Sequence, residues 1–257
     1  MEQEKCTIDK KTNFRYCGKD KLLRPIIPYF GGKTKIAKKI ISRFPEHQIY
    51  IEPFVGGGSV YWKNTQAKKY IINDKNKEVY NLYKTAKNSP SKVKSCKLNP
   101  SKNKFDTIKN KIKQGACDTM VLYKHSFGAD GKSYAKHHGL RNNNFTDAHA
   151  DKLKNTIILN KDFRDVMQDK ENVLIYLDPP YVVGGETYKI HGVTPKEVCD
   201  SVKSLKKAKA IISYDKNAEV KKACRGLNFN TISFKYSDVK NGGISNDLKK
   251  ELLSTNY

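Results

Sequence analysis

No apolar run in this chain approaches the roughly 20 residues needed to cross a bilayer, and its mean hydropathy is −0.72. A membrane protein is not expected. The first 24 residues, MEQEKCTIDKKTNFRYCGKDKLLR, carry charge throughout and lack the apolar core of a secretion signal. An intracellular, non-secreted protein is the expectation. The six cysteines, Cys6, Cys17, Cys96, Cys117, Cys199 and Cys224, form no CxxC and no paired Cys/His spacing of the structural-zinc kind. They read as free thiols, and no metal is expected. Arginine is scarce, six against 44 lysines, and the chain is rich in Asn and Ile.

What is present is enough for one globular domain with room for an insertion: 257 residues, 37% of them hydrophobic. The net charge of +24 suits a polyanion, because each cation placed on a phosphate releases a condensed counterion. A Lys/Asn/Ile bias also follows from AT-rich coding DNA, however. The charge therefore needs local support before it indicates nucleic acid.

Short β-branched or apolar runs alternate with helical patterns from residue 25 onward. Strands are predicted at 48–54 (QIYIEPF), 69–74 (KYIIND), 156–160 (TIILN), 172–178 (NVLIYLD), 208–214 (AKAIISY) and 230–236 (NTISFKY). A helix over 34–44 gathers Ile36, Ile40, Ile41 and Phe44 on one face. Another over 195–206 starts behind Thr194 as N-cap with Pro195 at its first position, and gathers Val198, Val202 and Leu205. Strands separated by helices predict a mainly parallel α/β sheet. Residues 84–114 break the rhythm with ten Lys and one Asp. They precede a His-, Gly- and Asn-rich stretch over 125–144, so residues 85–151 read as an insertion, flanked by segments 25–84 and 152–257 of the sheet-bearing domain.

Three motifs carry chemistry. Asp178-Pro179-Pro180-Tyr181 follows the strand NVLIYL, where open α/β sheets collect ligands. The prolines withhold backbone donors and leave carbonyl acceptors, so the tetrapeptide can receive a planar ring bearing an NH₂ group, with Tyr181 stacked on it. A Pro-rich turn with a capping Asp is the plainer reading, and the apolar strand ahead of it favours the receptor. Glu52-Pro53-Phe54-Val55-Gly56-Gly57-Gly58-Ser59 is a glycine turn of the ligand-cradling kind. Asp74 ends the next strand 18 residues after Gly56, close to the spacing at which an acid meets ribose hydroxyls. A nucleoside-containing cofactor is expected, and the missing last glycine of GxGxxG counts against NAD and flavin. Pro28-Tyr29-Phe30-Gly31-Gly32-Lys33 opens a helix whose amides, with Lys33, can hold a carboxylate. A P-loop is the competing reading, but GGKT lacks the required upstream glycine.

In this order, PYFGGK, EPFVGGGSV, IINDKN, TIILNKDF, VLIYLDPPY, IISYD and KNGGISNDLKKELLSTNY resemble the motifs of the Dam-type (D12 class) adenine-N6 DNA methyltransferases. The resemblance runs from Pro28 to the C-terminus. It implies a Rossmann-like methyltransferase fold with a mainly parallel sheet, a C-terminal antiparallel hairpin and a largely helical, basic recognition insertion. It further implies S-adenosylmethionine as cofactor, duplex DNA as substrate, and methylation of the N6 of a flipped-out adenine. By resemblance Tyr29, Gly31, Gly32, Lys33, Glu52, Phe54, Gly56, Gly58, Asp74, Asp162, Phe163 and Asp178 bind the cofactor, and Asp178, Pro179, Pro180 and Tyr181 are catalytic. Two departures stand out. Residues 1–24 precede the family pattern and read as a leader, and the segment VLYKHSFGADGKSYAKHHGLRNNNF lacks the family's recognition signature, which leaves the target sequence open.

Within the insertion, the lysines from Lys92 to Lys113, Lys109, Lys111 and Lys113 among them, are expected at phosphates, and the segment from Lys124 to Asn144 is expected to read sequence, with Arg141, Asn142, Asn143 and Asn144 at base edges. His125, His137, His138 and His149 read as surface or phosphate-contacting groups, Trp62 as core, and Lys203, Lys206, Lys207 and Lys209 as a solvated face. RNA as substrate, or a catalytically silent nucleic-acid-binding protein on the same fold, are the rival readings. A restriction endonuclease acting separately is compatible with the family, and nothing fixes the oligomeric state.

Overall fold

The computed structural model describes residues 6–9, 14–17, 23–135, 142–180, 192–216, 218–235, 238–240, 243–245 and 248–257. The chain begins with a hairpin of β1 (Cys6–Asp9) and β2 (Phe14–Cys17), so the expected leader carries paired strands. Then come α1 (Ala37–Ile41), β3 (Ile49–Glu52), β4 (Lys69–Asn73), α2 (Lys77–Asn88), α3 (Pro90–Lys94), α4 (Lys102–Lys109), α5 (Ala116–Lys124), α6 (Asp147–Lys154) and β5 (Thr156–Leu159). There follow β6 (Val173–Leu177), α7 (Pro195–Lys203), β7 (Lys209–Asp215), α8 (Ala218–Ala223), β8 (Asn228–Lys235), β9 (Asp238–Lys240), β10 (Gly243–Ser245) and β11 (Leu248–Thr255).

Seven strands form one sheet in the order β5-β4-β3-β6-β7-β11-β8. The first five are parallel, and β11 runs antiparallel between β7 and β8. All six predicted strands are present, and the mainly parallel sheet with an antiparallel C-terminal pair is the expected one. Strand β6 shows why: all five residues of VLIYL are buried, because both faces of a parallel sheet are covered. Successive side chains alternate faces. Leu174 and Tyr176 join the core shared with α1 and α2, whereas Val173, Ile175 and Leu177 join the core shared with α7 and α8. The chain runs outward through β3, β4 and β5, then returns to β6 and runs the other way. Between β3 and β6 the order reverses, which opens a crevice at their carboxyl ends.

Helix boundaries differ from the sequence pattern for local reasons. Only Ala37–Ile41 is α-helical where 34–44 was predicted. Ahead of it Thr34 is tied sideways to Ser59 (Oγ1 to Oγ, 2.9 Å), and after it Arg43 and Phe44 close tight turns before Pro45. Helix α7 has its Thr194 to Glu197 capping box and Pro195, as expected, but stops at Lys203. The Asp169 carboxylate accepts from the backbone N–H groups of Lys206, Lys207 and Ala208 at 2.7–3.0 Å, and so holds that stretch out of the helix.

The cysteines correct the free-thiol expectation. Cys96 and Cys117 are disulfide-bonded with their Cα atoms 5.3 Å apart, as are Cys199 and Cys224 at 5.0 Å. Separations of 21 and 25 residues leave no local motif. The pairs become visible only when α3 meets α5 through α2, and when α7 packs on α8. Cys6 and Cys17 stand opposite each other in the β1–β2 register.

Candidate active site

The crevice at the reversal is an open cleft lined by the loop before α1, the glycine turn after β3, the end of β4 and the residues after β6. All three sequence motifs therefore meet in one place. The glycine turn is shaped by what packs behind it. Gly56 and Gly58 have φ of +47° and +71°, in the left-handed region. A Cβ on Gly56 would lie 2.7 Å from the Tyr29 ring, and one on Gly58 2.6 Å from the Tyr83 hydroxyl. The turn is thus clamped between the PYFGGK loop and α2.

Asp74, buried at the end of β4, holds that turn in place. Its Oδ2 accepts from the Gly56 N–H at 2.8 Å and its Oδ1 from the Asn76 N–H at 2.8 Å. Burial pushes its pKa up to about 6, against the pull of those two backbone donors. Its neighbour Asn73, which sequence reasoning passed over, donates to the carbonyls of Pro53 (2.9 Å) and Lys161 (3.1 Å) and accepts from the Lys161 N–H (2.8 Å). One amide thereby joins the turn after β3 to the loop carrying Asp162 and Phe163. The signal was there in IIND: a polar residue at the buried end of an apolar strand. Glu52 is buried and accepts from the Tyr50 hydroxyl at 2.6 Å, and burial raises its pKa well above the carboxylate range.

Lys33 is buried, and its Nζ lies 2.6 Å from Asp178 Oδ1, 2.8 Å from the Gly31 carbonyl and 3.6 Å from Glu251 Oε1. Burial would depress this ammonium, but Asp178, Glu251 and Asp215 outweigh it and hold its pKa above the ordinary value. Asp178 is pushed up to about 6 by burial, against the pull of Lys33, with Glu251 and Asp215 adding to the rise. Here Lys33 is paired with Asp178, whereas the sequence placed it at a cofactor carboxylate. Glu251 lies in the C-terminal motif KNGGISNDLKKELLSTNY but was given no role there; its only mark was a lone acid among the buried positions of β11.

To one side, Phe54 and Phe163 pack with their ring centroids 5.2 Å apart, and Asp162 accepts from Arg164 Nε (2.7 Å) and Lys75 Nζ (3.3 Å), contacts that hold its pKa below the usual range. On the other side the segment between β4 and β5 reaches the cleft. Tyr123 of α5 stacks on Tyr29 at 5.3 Å and accepts from Asn76 Nδ2 at 3.0 Å. Beside them Phe127 is 77% exposed and Phe30 47% exposed, with Gly128 against the Phe30 ring. Exposed aromatic rings at a cleft mouth are a feature that sequence reasoning missed.

The expected DNA contacts are less uniform. Lys111 is paired with Asp118 at 2.8 Å and Lys109 with Asp106 at 3.8 Å, while Lys113 is exposed. Lys124 is buried and donates to the Asn142 carbonyl at 3.2 Å. The Asn143 amide is used internally on the Val93 carbonyl at 2.6 Å, and Asn144 reaches the Pro25 carbonyl at 3.4 Å. His125 and His149 are not surface groups: both are buried, the first bonded to the Leu98 carbonyl and the second between Thr146 and the Arg24 carbonyl. Trp62 is core, and Lys203, Lys206, Lys207 and Lys209 are exposed, as expected. Arg141, His137, His138 and Tyr181 lie outside the described residues. Among the described residues no cluster of three metal-ligating side chains occurs, and no helix is long and apolar enough to cross a membrane.

A doubly wound sheet with an antiparallel strand between its last two neighbours, and acids and a glycine turn at the reversal, is a Rossmann-like methyltransferase fold. The family described as D12 class N6 adenine-specific DNA methyltransferase matches residues 29–238, and the chain belongs to it. It is similar to the DNA adenine methylase of Haemophilus influenzae, 27% identical over 234 residues, which span 77% of this chain and 80% of that one. It is also similar to the Type II methyltransferase M1.LlaDCHI of Lactococcus lactis subsp. cremoris, 25% identical over 195 residues, 64% and 68% of the two chains. Among solved structures, a precorrin-6y C5,15-methyltransferase from Geobacter metallireducens GS-15 superposes with a TM-score of 0.41 at 10% identity, covering 91% of this chain and 98% of that one.

Proposed function

We propose that the chain methylates the exocyclic N6 of an adenine flipped out of duplex DNA, with S-adenosylmethionine as donor. One observation carries the reading most: Asp178 stands in the cleft with Oδ1 held by Lys33, while Oδ2 has no hydrogen-bond partner among the described residues. A fixed, half-engaged carboxylate beside the Pro179 carbonyl can accept from both N–H groups of an amine.

The cleft fits the cofactor on its own chemistry. Glu52, Asp74 and Asp178 suit a cationic ligand, and the glycine turn presents bare backbone. When bound, S-adenosylmethionine supplies a methyl group on a positively charged sulfur. Tyr29, the glycine turn and the amides around Gly31 and Gly32 would hold its amino-acid end, Asp74 its ribose, and Phe54, Asp162 and Phe163 its adenosine. Asp178 and Pro179 accept the N6 hydrogens and turn the nitrogen lone pair out of the ring plane. Tyr181 stacks on the base, and Pro180 stiffens the turn. This is catalysis by orientation and by preplaced acceptors. Flipping the adenine costs a few kcal/mol, which phosphate contacts from the insertion's lysines must offset. Phe30 and Phe127 offer aromatic faces to the bases beside the vacated position.

The test is direct: incubate the protein with labelled S-adenosylmethionine and duplex DNA or RNA, digest, and separate the nucleosides. N6-methyldeoxyadenosine is the expected product. Label only in N6-methyladenosine from RNA, or in no adenine at all, would overturn the reading.

A further inference from the structure

The acid of β11 has no place in the scheme so far. Glu251 is 3% exposed and sits in a strand whose neighbours Leu252, Leu253 and Ser254 are also buried. A carboxylate is not buried in the middle of a sheet without partners. Its first partner is Ser213 of β7, whose hydroxyl donates to Oε1. Its second is the Lys33 ammonium, 3.6 Å from the same oxygen. That distance is too long for a good hydrogen bond and short enough for a strong charge interaction. Lys33 therefore stands between two carboxylates, in contact with Asp178 and drawn towards Glu251.

We propose that Glu251, fixed by Ser213, is a positioning residue that sets how closely Lys33 engages Asp178, and so keeps Asp178 oriented as an acceptor with Oδ2 turned to the cleft. The inference rests on the assignment of Asp178 to the amine. Without the pull from β11, the ammonium would settle wholly on Asp178, neutralising the acceptor and rotating it. With the pull, one oxygen is pinned and the other keeps its charge. Ser213 matters because a glutamate has three rotatable bonds. Its hydroxyl fixes the last of them, and the register that sets Glu251 opposite Asp215 fixes the backbone. The carboxyl edge of β7 and the body of β11 are thus part of the reaction geometry, although neither reaches the cleft lining.

A Glu251 needed only for folding would leave the plateau turnover of the folded variant alone, and this makes the proposal testable. Asp178 is faced by Lys33 from the loop before α1, Glu52 from β3, Tyr176 from its own strand β6, Tyr214 and Asp215 from β7, and Glu251 from β11. Of these, Glu251 and Asp215 push the Asp178 pKa up and Lys33 pulls it down. Removing the Glu251 charge should therefore move the acid limb of kcat to lower pH. At the plateau, turnover should fall because the acceptor is neutralised.

The experiment measures kcat and KM for both substrates between pH 5 and 9 in the full chain and its Glu251→Gln, Glu251→Asp, Ser213→Ala and Asp178→Asn variants. For Glu251→Gln we expect kcat at pH 7.5 to drop roughly tenfold, less than the loss of a direct transition-state partner, with both KM values nearly unchanged and the acid limb displaced downward. Glu251→Asp keeps the charge and should keep the limb near its original pH. Ser213→Ala should lower kcat without moving the limb, and it decides the matter if Glu251→Gln does not fold. Wild-type plateau turnover in Glu251→Gln, whatever the position of its limb, or in its absence wild-type turnover in Ser213→Ala, overturns the proposal. If Asp178→Asn also turns over normally, the active-site reading itself has failed; if Asp178→Asn is dead, only the role of Glu251 has.

Discussion

Substituting Gly58 with alanine separates backbone strain from packing at the glycine turn. A φ of +71° costs a non-glycine residue about 1–2 kcal/mol. The new methyl group would also meet the Tyr83 hydroxyl at 2.6 Å and the Trp62 ring at 3.0 Å. Both rings are buried and neither can swing away, so overpacking adds roughly 1–3 kcal/mol. The expected destabilisation is therefore about 2–5 kcal/mol. Gly226 supplies the control: its φ is +94°, but nothing lies within 4 Å of an added Cβ, so Gly226→Ala should show the strain alone. Denaturant unfolding measures both, and calorimetry should find S-adenosylmethionine binding weakened in Gly58→Ala and unchanged in Gly226→Ala. Tyr83→Phe removes the clashing oxygen, at the cost of its hydrogen bond to the Gly56 carbonyl (3.1 Å), about 1 kcal/mol. Combined with Gly58→Ala it should destabilise by less than the sum, with a coupling of about 1 kcal/mol or more. Equal destabilisation in Gly58→Ala and Gly226→Ala, or strict additivity with Tyr83→Phe, would refute the packing argument.

Asp178→Ala should lower methyl transfer by roughly 10² to 10³ while leaving DNA affinity nearly intact, as rate and gel-shift measurements will show. Asp74 and Asp178 both have folded pKa values of about 6, above their unfolded values. Their contribution to stability is therefore complete below about pH 4 and disappears as pH rises through 6; Asp178→Asn should shrink the stability gap between pH 5 and 7.5 by about 1 kcal/mol, and an unchanged gap would contradict the burial of that charge. Neutralising Lys109, Lys111 and Lys113 together should weaken every duplex alike and flatten the salt dependence by at most about 0.9 for each phosphate they neutralise; a changed methylation site would move these lysines from phosphate to base reading. Alkylation of the unreduced, denatured protein followed by mass spectrometry should leave Cys96, Cys117, Cys199 and Cys224 unmodified, and labelling at any of them would contradict the two disulfides.

What the sequence disclosed was whatever repeats locally. The apolar runs of β3, β4, β6 and β7 were visible because buried parallel strands need them, and Thr194-Pro195 marked α7 because a helix start has its own chemistry. The three motifs were likewise visible, and they do converge on one cleft. The unseen features are long-range. Glu251 becomes meaningful only when β11 inserts beside β7, and the disulfides only when helices meet. The short α1 depends on a side-chain bond from Thr34 to Ser59, and the burial of His125 and His149 on carbonyls far away in the chain. In each case one residue type had several possible fates, and the choice was made by a partner tens of residues distant or more.

Strand β5 is one edge of the sheet, and the segment carrying α2 to α6 is simply the crossover that leads to it from β4. A connection at an edge can grow, shrink or be rebuilt without displacing a central strand. The part of it beyond α2 can therefore be remodelled, while β3, β6 and the Tyr83 contact on the glycine turn keep the cleft fixed. Beyond α2 it meets the cleft loops at Tyr123, which stacks on Tyr29 and accepts from Asn76, and at Gly128 beside Phe30. New surfaces can be grafted there in the laboratory, provided that joint is preserved.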